Sequence, residues 1–368
     1  MPSKKSHLLI QNAALVIFGL FVAVVFLEIV PRFLPRRVLP NPLRYALEEM
    51  ESRQHSTDPY LPDPKLWYVI KPGTDIVLKH PDSDYRMKTN LNFSTAGFRG
   101  GTRGGPVWGV AVGDSFTFGL GVNHESTWVA ELSRLSQREI VNLGVPGWGP
   151  SQYTGTLEEY GLRLKPKLVL YGLFSNDVGN VTRFESDRGH FNEFSLRQFF
   201  RFNSMTFNLF RRLRRGKAVV NDIRLDAPAI TFSSRELKSR LAADRRRFPT
   251  GWPLTEQQIE TAHRDSERSQ SRFVLLYFPS KEEVYWEAIK EKDSSLQRFD
   301  DAIDPLRRSA LSLCKSEALS CIDLTPALKR RARKGEDIYF TIDSHWSIAG
   351  NRAVAEEIYN ELVQRKLL

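Results

Sequence analysis

The first candidate group for chemistry is a serine at the end of an apolar run. Residues 107–112 are typical of a buried strand and are followed by Gly113, Asp114 and Ser115. Open α/β sheets bind ligands at the carboxyl ends of their strands, which is where Ser115 would lie. Asp and Ser also favour ordinary turns, because their side chains hydrogen-bond to nearby backbone groups. The motif therefore indicates a nucleophile only if the chain also supplies a base and oxyanion donors.

A carboxylate and an imidazole lie two residues apart near the C-terminus. Asp343 and His345 fall in one loop, directly before the last predicted helix. A serine hydroxyl is a weak nucleophile until a base takes its proton, and that base needs an acceptor that orients it. The other histidines lie before the apolar N-terminal segment, before the sheet, in a polar loop or in an insertion: His7, His55, His80, His124, His190 and His263. His345 is therefore the candidate base.

Two further motifs follow the second and third predicted strands. Asn142 begins the sequence Asn-Leu-Gly-Val-Pro-Gly, which ends at Gly147, and Asn176 directly follows the third strand. The carboxyl ends of neighbouring parallel strands meet at one edge of a sheet. A backbone N–H and a side-chain amide can converge there on a developing oxyanion.

Short apolar runs alternate with amphipathic stretches from residue 107 onward. We predict strands at 107–112, 140–143, 168–174, 273–278 and 321–324, and helices at 127–138, 150–164, 281–289, 302–313 and 348–366. Apolar strands separated by helices predict a parallel sheet wrapped by helices in one α/β domain. About 90 residues, 180–271, separate the third and fourth strands, which is far more than a crossover needs. We predict a helical insertion there.

Taken together, these motifs resemble the blocks of the SGNH, or GDSL-type, hydrolase superfamily, in their usual order. The resemblance implies a three-layer, flavodoxin-like α/β fold with a central parallel sheet of about five strands. It makes Ser115 the nucleophile, His345 the general base and Asp343 its orienting acid. The implied oxyanion donors are the backbone N–H groups of Ser115 and Gly147 and the side-chain amide of Asn176.

The spacing of the acid and the base differs from that of many members of the superfamily. Those members carry Asp-x-x-His, whereas this chain has Asp-x-His at Asp343 and His345. The shorter spacing resembles the membrane-associated branch, whose members include proteins of exopolysaccharide O-acetylation, such as that of alginate. If Asp343 does not reach Nδ1 of His345, a backbone carbonyl would orient the ring instead.

The resemblance implies a serine esterase that removes a small acyl group, such as acetyl, from a carbohydrate through an acyl-serine intermediate. One alternative is an O-acetyltransferase acting on an envelope or extracellular polysaccharide. A second is a non-catalytic module that binds polysaccharide or acts as a scaffold. The expected partners are an acylated carbohydrate or polysaccharide and envelope acetylation or export proteins. We expect no cofactor and no metal, because the sequence lacks P-loop, dinucleotide-binding and H-E-x-x-H motifs.

The N-terminus carries an apolar segment long enough to span a membrane. Residues 13–27 contain no charged side chain, and about 20 such residues cross a core of roughly 30 Å. The sequence 28–32 that follows lacks the small residues of a signal-peptide cleavage site. We predict an uncleaved single-pass anchor in the cell membrane, not a buried core helix, with the C-terminal domain extracytoplasmic. Four arginines follow the segment and oppose this orientation, although a large domain translocates largely regardless of charge.

Charge is concentrated in one part of the chain. Residues 197–247 hold 14 Lys+Arg and 4 Asp+Glu, which accounts for the whole net charge of +10. A globally basic nucleic-acid-binding protein is therefore excluded, and no nucleic-acid partner is expected. We interpret the segment as a helical cap with a solvated basic face, with a face for anionic lipid headgroups or acidic polysaccharide as the alternative. Its apolar side chains are interleaved with arginines: Phe199, Phe200, Phe202, Phe207, Phe210 and Leu213 with Arg201, Arg211, Arg212, Arg214 and Arg215.

We divide the chain into four parts. A cytoplasmic tip and the anchor occupy 1–30, a proline-rich stalk 31–65, a lead-in β segment 66–106, and the hydrolase domain 107–368 with its insertion at about 180–271. The two cysteines, Cys314 and Cys321, are too few for a multi-cysteine metal site. A disulfide between them and two free thiols are both compatible with the sequence.

Overall fold

A computed structural model describes residues 4–35, 38–40, 43–44, 47, 59–100, 107–187, 204, 206–207, 209–210, 222–226 and 228–368. The chain divides into two compact units. Met1–Asp58 and Asn192–Ala218 form one, and Pro59–Phe191 and Val219–Leu368 form the other.

The first unit contains the helix Lys4–Phe33. The most apolar 18-residue window within Gln11–Phe33 has a mean hydropathy of 2.8 and is not buried, so the helix is long and apolar enough to cross a membrane. Near its end, the Glu28 carboxylate accepts hydrogen bonds from Ser204 Oγ at 3.1 Å and from the Thr206 N–H at 2.9 Å. Most of the predicted Phe–Arg face, including Phe199, Phe200, Phe202 and its five arginines, lies outside the described residues.

Three antiparallel hairpins open the second unit. Their strands are β1 Tyr60–Asp63, β2 Trp67–Ile70, β3 Asp75–Leu78, β4 Tyr85–Lys88, β5 Leu91–Asn92 and β6 Gly97–Phe98. They pair as β1 with β2, β3 with β4, and β5 with β6. We predicted that the β segment begins at residue 66. It begins earlier, because all four residues of β1 pair with β2.

A five-stranded parallel sheet forms the centre of the second unit. The remaining strands are β7 Gly109–Val112, β8 Ile140–Asn142, β9 Leu168–Phe174, β10 Ile223–Asp226, β11 Ala229–Phe232, β12 Arg272–Phe278 and β13 Ser320–Asp323. The sheet has the order β13-β12-β9-β7-β8, and all its pairs are parallel. All seven residues of the central β9 are buried, as expected of a strand covered on both faces. The predicted α/β fold with five parallel strands is confirmed.

Helices cover both faces of the sheet. They are Ser115–Phe118, Trp128–Ser136, Pro150–Thr156, Asp177–Asp187, Ser234–Arg268, Lys281–Lys292, Pro305–Ser316, Thr325–Arg333 and Ile348–Gln364. The helix predicted at 302–313 begins later, because Pro305 occupies its first turn. The helix predicted at 150–164 is α-helical only to Thr156 and continues as a π turn, Leu157–Gly161, and a 3₁₀ turn, Leu162–Leu164.

The described residues between β9 and β12 include the helix Asp177–Asp187, a hairpin and a long helix. The hairpin pairs β10 with β11, and the 35-residue helix Ser234–Arg268 follows it. Ser233 caps this helix by accepting the backbone N–H of Glu236. Its apolar face, including Leu237, Leu241 and Ile259, is buried in the cores on the two faces of the sheet.

Cys314 and Cys321 form a disulfide. The bond joins the last turn of the helix Pro305–Ser316 to the edge strand β13, with 6.2 Å between the two Cα atoms. Of the two alternatives left open by the sequence, the structure contains the disulfide and not two free thiols.

Candidate active site

Ser115 lies where β7 turns into the helix Ser115–Phe118. Glycine is required at position 113, because a Cβ atom there would lie 2.1 Å from Thr117 Oγ1. The carboxylate of Asp114 caps the helix by accepting the Phe116 N–H at 2.9 Å. The tight turn places Ser115, which is 7% exposed, at the carboxyl edge of the sheet.

The ring of His345 contacts the serine directly. His345 Nε2 lies 2.7 Å from Ser115 Oγ. The ring packs against Phe116, with 4.7 Å between the ring centroids. The neighbouring Trp346 is buried and forms an isolated antiparallel β-bridge with the buried Tyr339. These two residues anchor the loop that carries His345 in the core. His345 is thus held in position to accept a proton from Ser115.

Asp343 reaches back to the histidine across the short Asp-x-His spacing. Its Oδ1 lies 2.5 Å from His345 Nδ1 and also accepts the backbone N–H of His345 at 2.8 Å. A spacing of two residues is sufficient for this contact, because the Asp343 side chain turns back toward the backbone N–H and the ring of His345. The alternative in which a backbone carbonyl orients the ring is therefore not the arrangement found.

The Asp343 carboxyl is held in its charged form. Burial alone would raise its pKa, but the hydrogen bonds and positive charge of His345 outweigh burial and lower the pKa to about 2. Asp343 is therefore ionised at neutral pH, as an orienting acid must be.

Gly147 and Asn176 follow the two strands that flank β7. Gly147 has φ +82°, a left-handed conformation that favours glycine, and a Cβ atom there would lie 2.8 Å from the Tyr68 hydroxyl. That hydroxyl donates a hydrogen bond to the Pro146 carbonyl at 2.7 Å and so supports the turn. Asn176 is exposed and directly precedes the helix Asp177–Asp187. Since β8, β7 and β9 are adjacent and parallel, Ser115, Gly147 and Asn176 share one edge of the sheet.

Asn142 connects the second of these loops to the serine turn. Its side-chain amide donates to the Thr117 carbonyl at 2.7 Å, and its Oδ1 accepts the Gly144 N–H at 3.0 Å. The residue is fully buried. Its role is therefore to fix the spacing between the two loops, not to contact a ligand.

Sequence reasoning missed three side chains that hold the Asp343 loop. The Asp82 carboxylate accepts the backbone N–H groups of Ile342 at 3.0 Å and of Asp343 at 2.9 Å. Lys281 Nζ donates to the Asp343 carbonyl at 3.2 Å. His80 Nε2 lies 3.6 Å from Asp343 Oδ2. No sequence signal connects residues as far apart as Asp82 and Asp343, 261 positions, so these contacts could be found only in the structure.

Two polar cavities open beside the site. One of about 630 Å³ is lined by residues that include Asn176, Asn180, Arg183, Arg247 and Ser344. The other, of about 620 Å³, is lined by residues that include Lys281, Arg240, Arg247, Asp343 and Ser344. The long insertion helix contributes to both walls, and hydrogen-bonding side chains of this kind suit a hydroxyl-rich ligand. Within the described part of the chain, no group of three or more His, Cys, Asp or Glu side chains is arranged to hold a metal ion.

The chain has a parallel α/β fold, and its C-terminal third is similar in sequence to an SGNH-type family. A family model described as "SGNH hydrolase-like domain, acetyltransferase AlgX" matches residues 247–368, which include Asp343 and His345 but not Ser115. The resemblance to the SGNH superfamily, with its link to acetylation-associated members, is confirmed. No curated protein matches the chain.

Several solved structures share part of the architecture. A protein of the G-D-S-L family from Desulfitobacterium hafniense DCB-2, described as lipolytic, is 16% identical with a TM-score of 0.39, over 70% of this chain and 99% of its own. A catalytic mutant of the acetylxylan esterase Axe2 from Geobacillus stearothermophilus is 12% identical with a TM-score of 0.37, over 70% and 94%. The acetyl xylan esterase AlAXEase is 14% identical with a TM-score of 0.37, over 68% and 98%. TM-scores this low carry no functional argument.

Proposed function

We propose that the protein is a serine esterase that removes a small acyl group, acetyl, from a carbohydrate hydroxyl. The observation that carries the proposal is the continuous chain of contacts from Ser115 Oγ to His345 Nε2, at 2.7 Å, and from His345 Nδ1 to Asp343, at 2.5 Å. A nucleophile, a base and an orienting acid in hydrogen-bond reach of one another are what acyl transfer requires.

The proposed reaction has two halves. His345 Nε2 takes the proton of Ser115 Oγ as that oxygen attacks the ester carbonyl, and Asp343 stabilises the imidazolium that forms. Three hydrogen-bond donors stabilise the negative charge that develops on the carbonyl oxygen. They are the backbone N–H groups of Ser115 and Gly147 and the side-chain amide of Asn176. The imidazolium then returns the proton to the departing sugar oxygen, which leaves an acyl-serine. Water, deprotonated by His345, releases the acid and restores the serine.

A second candidate is transfer of the acyl group to a sugar hydroxyl of a polysaccharide. The description of the matching family model, which names an acetyltransferase, favours it. The same side chains serve both reactions, because only the molecule that attacks the acyl-serine differs. The polar cavities beside Asn176 and Asp343 offer space for an acceptor sugar.

We also propose that the helix Lys4–Phe33 anchors the protein in the cell membrane, with the second unit on the extracytoplasmic side. The helix contains a 23-residue candidate membrane span, Gln11–Phe33. The disulfide between Cys314 and Cys321 supports this side, because structural disulfides persist in oxidising compartments.

The test is hydrolysis of p-nitrophenyl acetate by the full chain in detergent. Ser115→Ala and His345→Ala should each lower kcat/KM by about 10⁴-fold or more, and Asp343→Ala by a comparable factor. His263→Ala is the matched control, since this histidine lies in the long helix and pairs with Glu267. Equal activity of wild type and Ser115→Ala would contradict the proposal.

Acceptor dependence separates the two reactions. Faster p-nitrophenol release with an added oligosaccharide, together with acetylated oligosaccharide detected by mass spectrometry, would identify the transferase. Acetate as the product in the presence of acceptor would identify the esterase. A wild-type chain that neither turns over esters nor labels at Ser115 with a phosphonate probe would favour the non-catalytic binding module.

A further inference from the structure

A second histidine, His80, lies close to the Asp343 oxygen that does not contact His345. His80 belongs to the loop between β3 and β4, and its side chain is 4% exposed. Its Nδ1 is positioned to accept the backbone N–H groups of Asp82, at 3.3 Å, and Ser83, at 3.4 Å. A nitrogen that accepts hydrogen bonds carries no proton, so the neutral ring carries its proton on Nε2.

The second carboxylate oxygen of Asp343 lies close to that nitrogen. His80 Nε2 lies 3.6 Å from Asp343 Oδ2, whereas Oδ1 is occupied by the ring and backbone N–H groups of His345. Within the described residues, His80 Nε2 is buried and has no hydrogen-bond partner. A shift of a few tenths of an ångström would complete a hydrogen bond, and a buried donor without one is costly.

The surroundings keep the His80 ring in this orientation. Phe340 and Tyr85 pack against it, with centroid distances of 4.8 Å and 6.1 Å. Gly121 has φ +89°, and a Cβ atom there would lie 2.5 Å from the Phe340 ring and 3.1 Å from His80 Nε2, so glycine is favoured at this position. The backbone N–H of His80 is itself held by the Asp84 carboxylate at 3.3 Å.

The same hairpin loop also holds the backbone of Asp343. The Asp82 carboxylate accepts the N–H groups of Ile342 and Asp343, while Lys281 binds the Asp343 carbonyl from the other side. The loop 79–84 and the loop of the acid therefore form one hydrogen-bonded assembly.

We propose that His80 is a positioning residue, which donates its Nε2–H to Asp343 Oδ2 and so aims Oδ1 of the carboxylate at His345. The inference rests on the proposed function, since its effect on rate requires that Asp343 assist His345. No proton is transferred to or from His80. Its hydrogen bond fixes the plane of a carboxylate that would otherwise rotate as the imidazolium forms.

The first test measures kcat and KM of full-chain variants in detergent. His80→Phe keeps a ring in the pocket and removes the donor, so kcat should fall about 10-fold or more while KM changes little. His80→Gln places an amide N–H near the position of Nε2 and should restore most of the loss. His263→Phe, in the long helix, is the matched histidine control.

A double variant separates positioning from general damage. If His80 acts through Asp343, adding His80→Phe to Asp343→Ala should cause no further loss of kcat. An equal loss in both backgrounds, or a His80→Gln variant no better than His80→Phe, would overturn the proposal. Urea unfolding of each variant shows whether it is folded.

A spectroscopic test does not depend on turnover. The low-field proton resonance of the hydrogen bond between His345 Nδ1 and Asp343 should shift or broaden in His80→Phe and return in His80→Gln. If the resonance changes in this way but the chain has no esterase activity, the positioning role of His80 is supported and the proposed function is contradicted. An unchanged resonance in His80→Phe would overturn the positioning role itself.

Discussion

Lys281 holds the loop that carries Asp343 through hydrogen bonds to backbone carbonyls. Its side chain is almost fully buried, and Nζ donates to the carbonyls of Thr341, Asp343 and Thr231 at 2.9, 3.2 and 3.4 Å. Three acceptors match the three N–H bonds of an ammonium group. Burial nevertheless lowers the pKa of Lys281 to about 8, because nearby carboxylates compensate the lost hydration only in part.

This lowered pKa predicts how stability depends on pH. The folded chain releases the Lys281 proton near pH 8, whereas the unfolded chain keeps it to about 10.5. Between these values the unfolded state binds more protons, so the free energy of unfolding of the wild type should rise with pH relative to that of Lys281→Met. Urea unfolding at pH 7, 8, 9 and 10 measures the difference, with Lys292→Met as the exposed control. A difference independent of pH would contradict the prediction.

The disulfide joins two elements at one edge of the sheet. β13 pairs with β12 alone in the described sheet, and Cys321 of β13 is bonded to Cys314 in the last turn of the preceding helix. An edge strand has hydrogen-bond partners on one side only, so a covalent link to its helix limits fraying. Strand β13 leads directly into the helix Thr325–Arg333. This helix contributes Leu328 and Ala332 to the hydrophobic core.

Removal of this bond should weaken the fold and leave the chemistry intact. Changing both Cys314 and Cys321 to Ser should lower the free energy of unfolding by about 2 kcal/mol, because a short loop is no longer closed in the unfolded chain. The esterase kcat should stay within about twofold, since neither cysteine contacts Ser115, Asp343 or His345. Urea unfolding with and without dithiothreitol checks this, and the double variant should not respond to the reductant.

The N-terminal helix exposes a long apolar surface. Side chains along Gln11–Phe33 are exposed, among them Phe18 at 65%, Phe21 at 64% and Phe33 at 83%. A continuous apolar surface of this size requires a non-aqueous partner. The second unit has its own two hydrophobic cores on either face of the sheet.

We therefore expect the N-terminal helix alone to direct the protein to membranes. The full chain should float with liposomes, and a chain that begins at Pro59 should remain in the aqueous fraction with its esterase activity retained. A chain that begins at Leu66 is a useful comparison, because it lacks β1 and should unfold at lower urea concentration. Flotation of the chain that begins at Pro59 would show that another surface binds the membrane.

Local patterns in the sequence predicted the five strands of the parallel sheet and most of the helices around it, and they grouped the candidate site residues. Apolar runs mark the buried strands, and in a parallel sheet their carboxyl ends meet at one edge. Ser115, Gly147 and Asn176 could therefore be assigned to one place from their positions after three strands, and Asp343 and His345 share one short loop.

Tertiary structure decided which distant loops meet. The sequence left open whether Asp343 reaches His345 and whether the cysteines are bonded, because both depend on how a loop folds and how an element packs. His80 and Asp82 lie about 260 residues from Asp343 and have no spacing that connects them to it. Their contact forms because packing brings the β3–β4 loop to the carboxyl edge of the sheet. Neighbouring residues share an element by covalent geometry, whereas distant ones meet only where burial of the core brings their loops together.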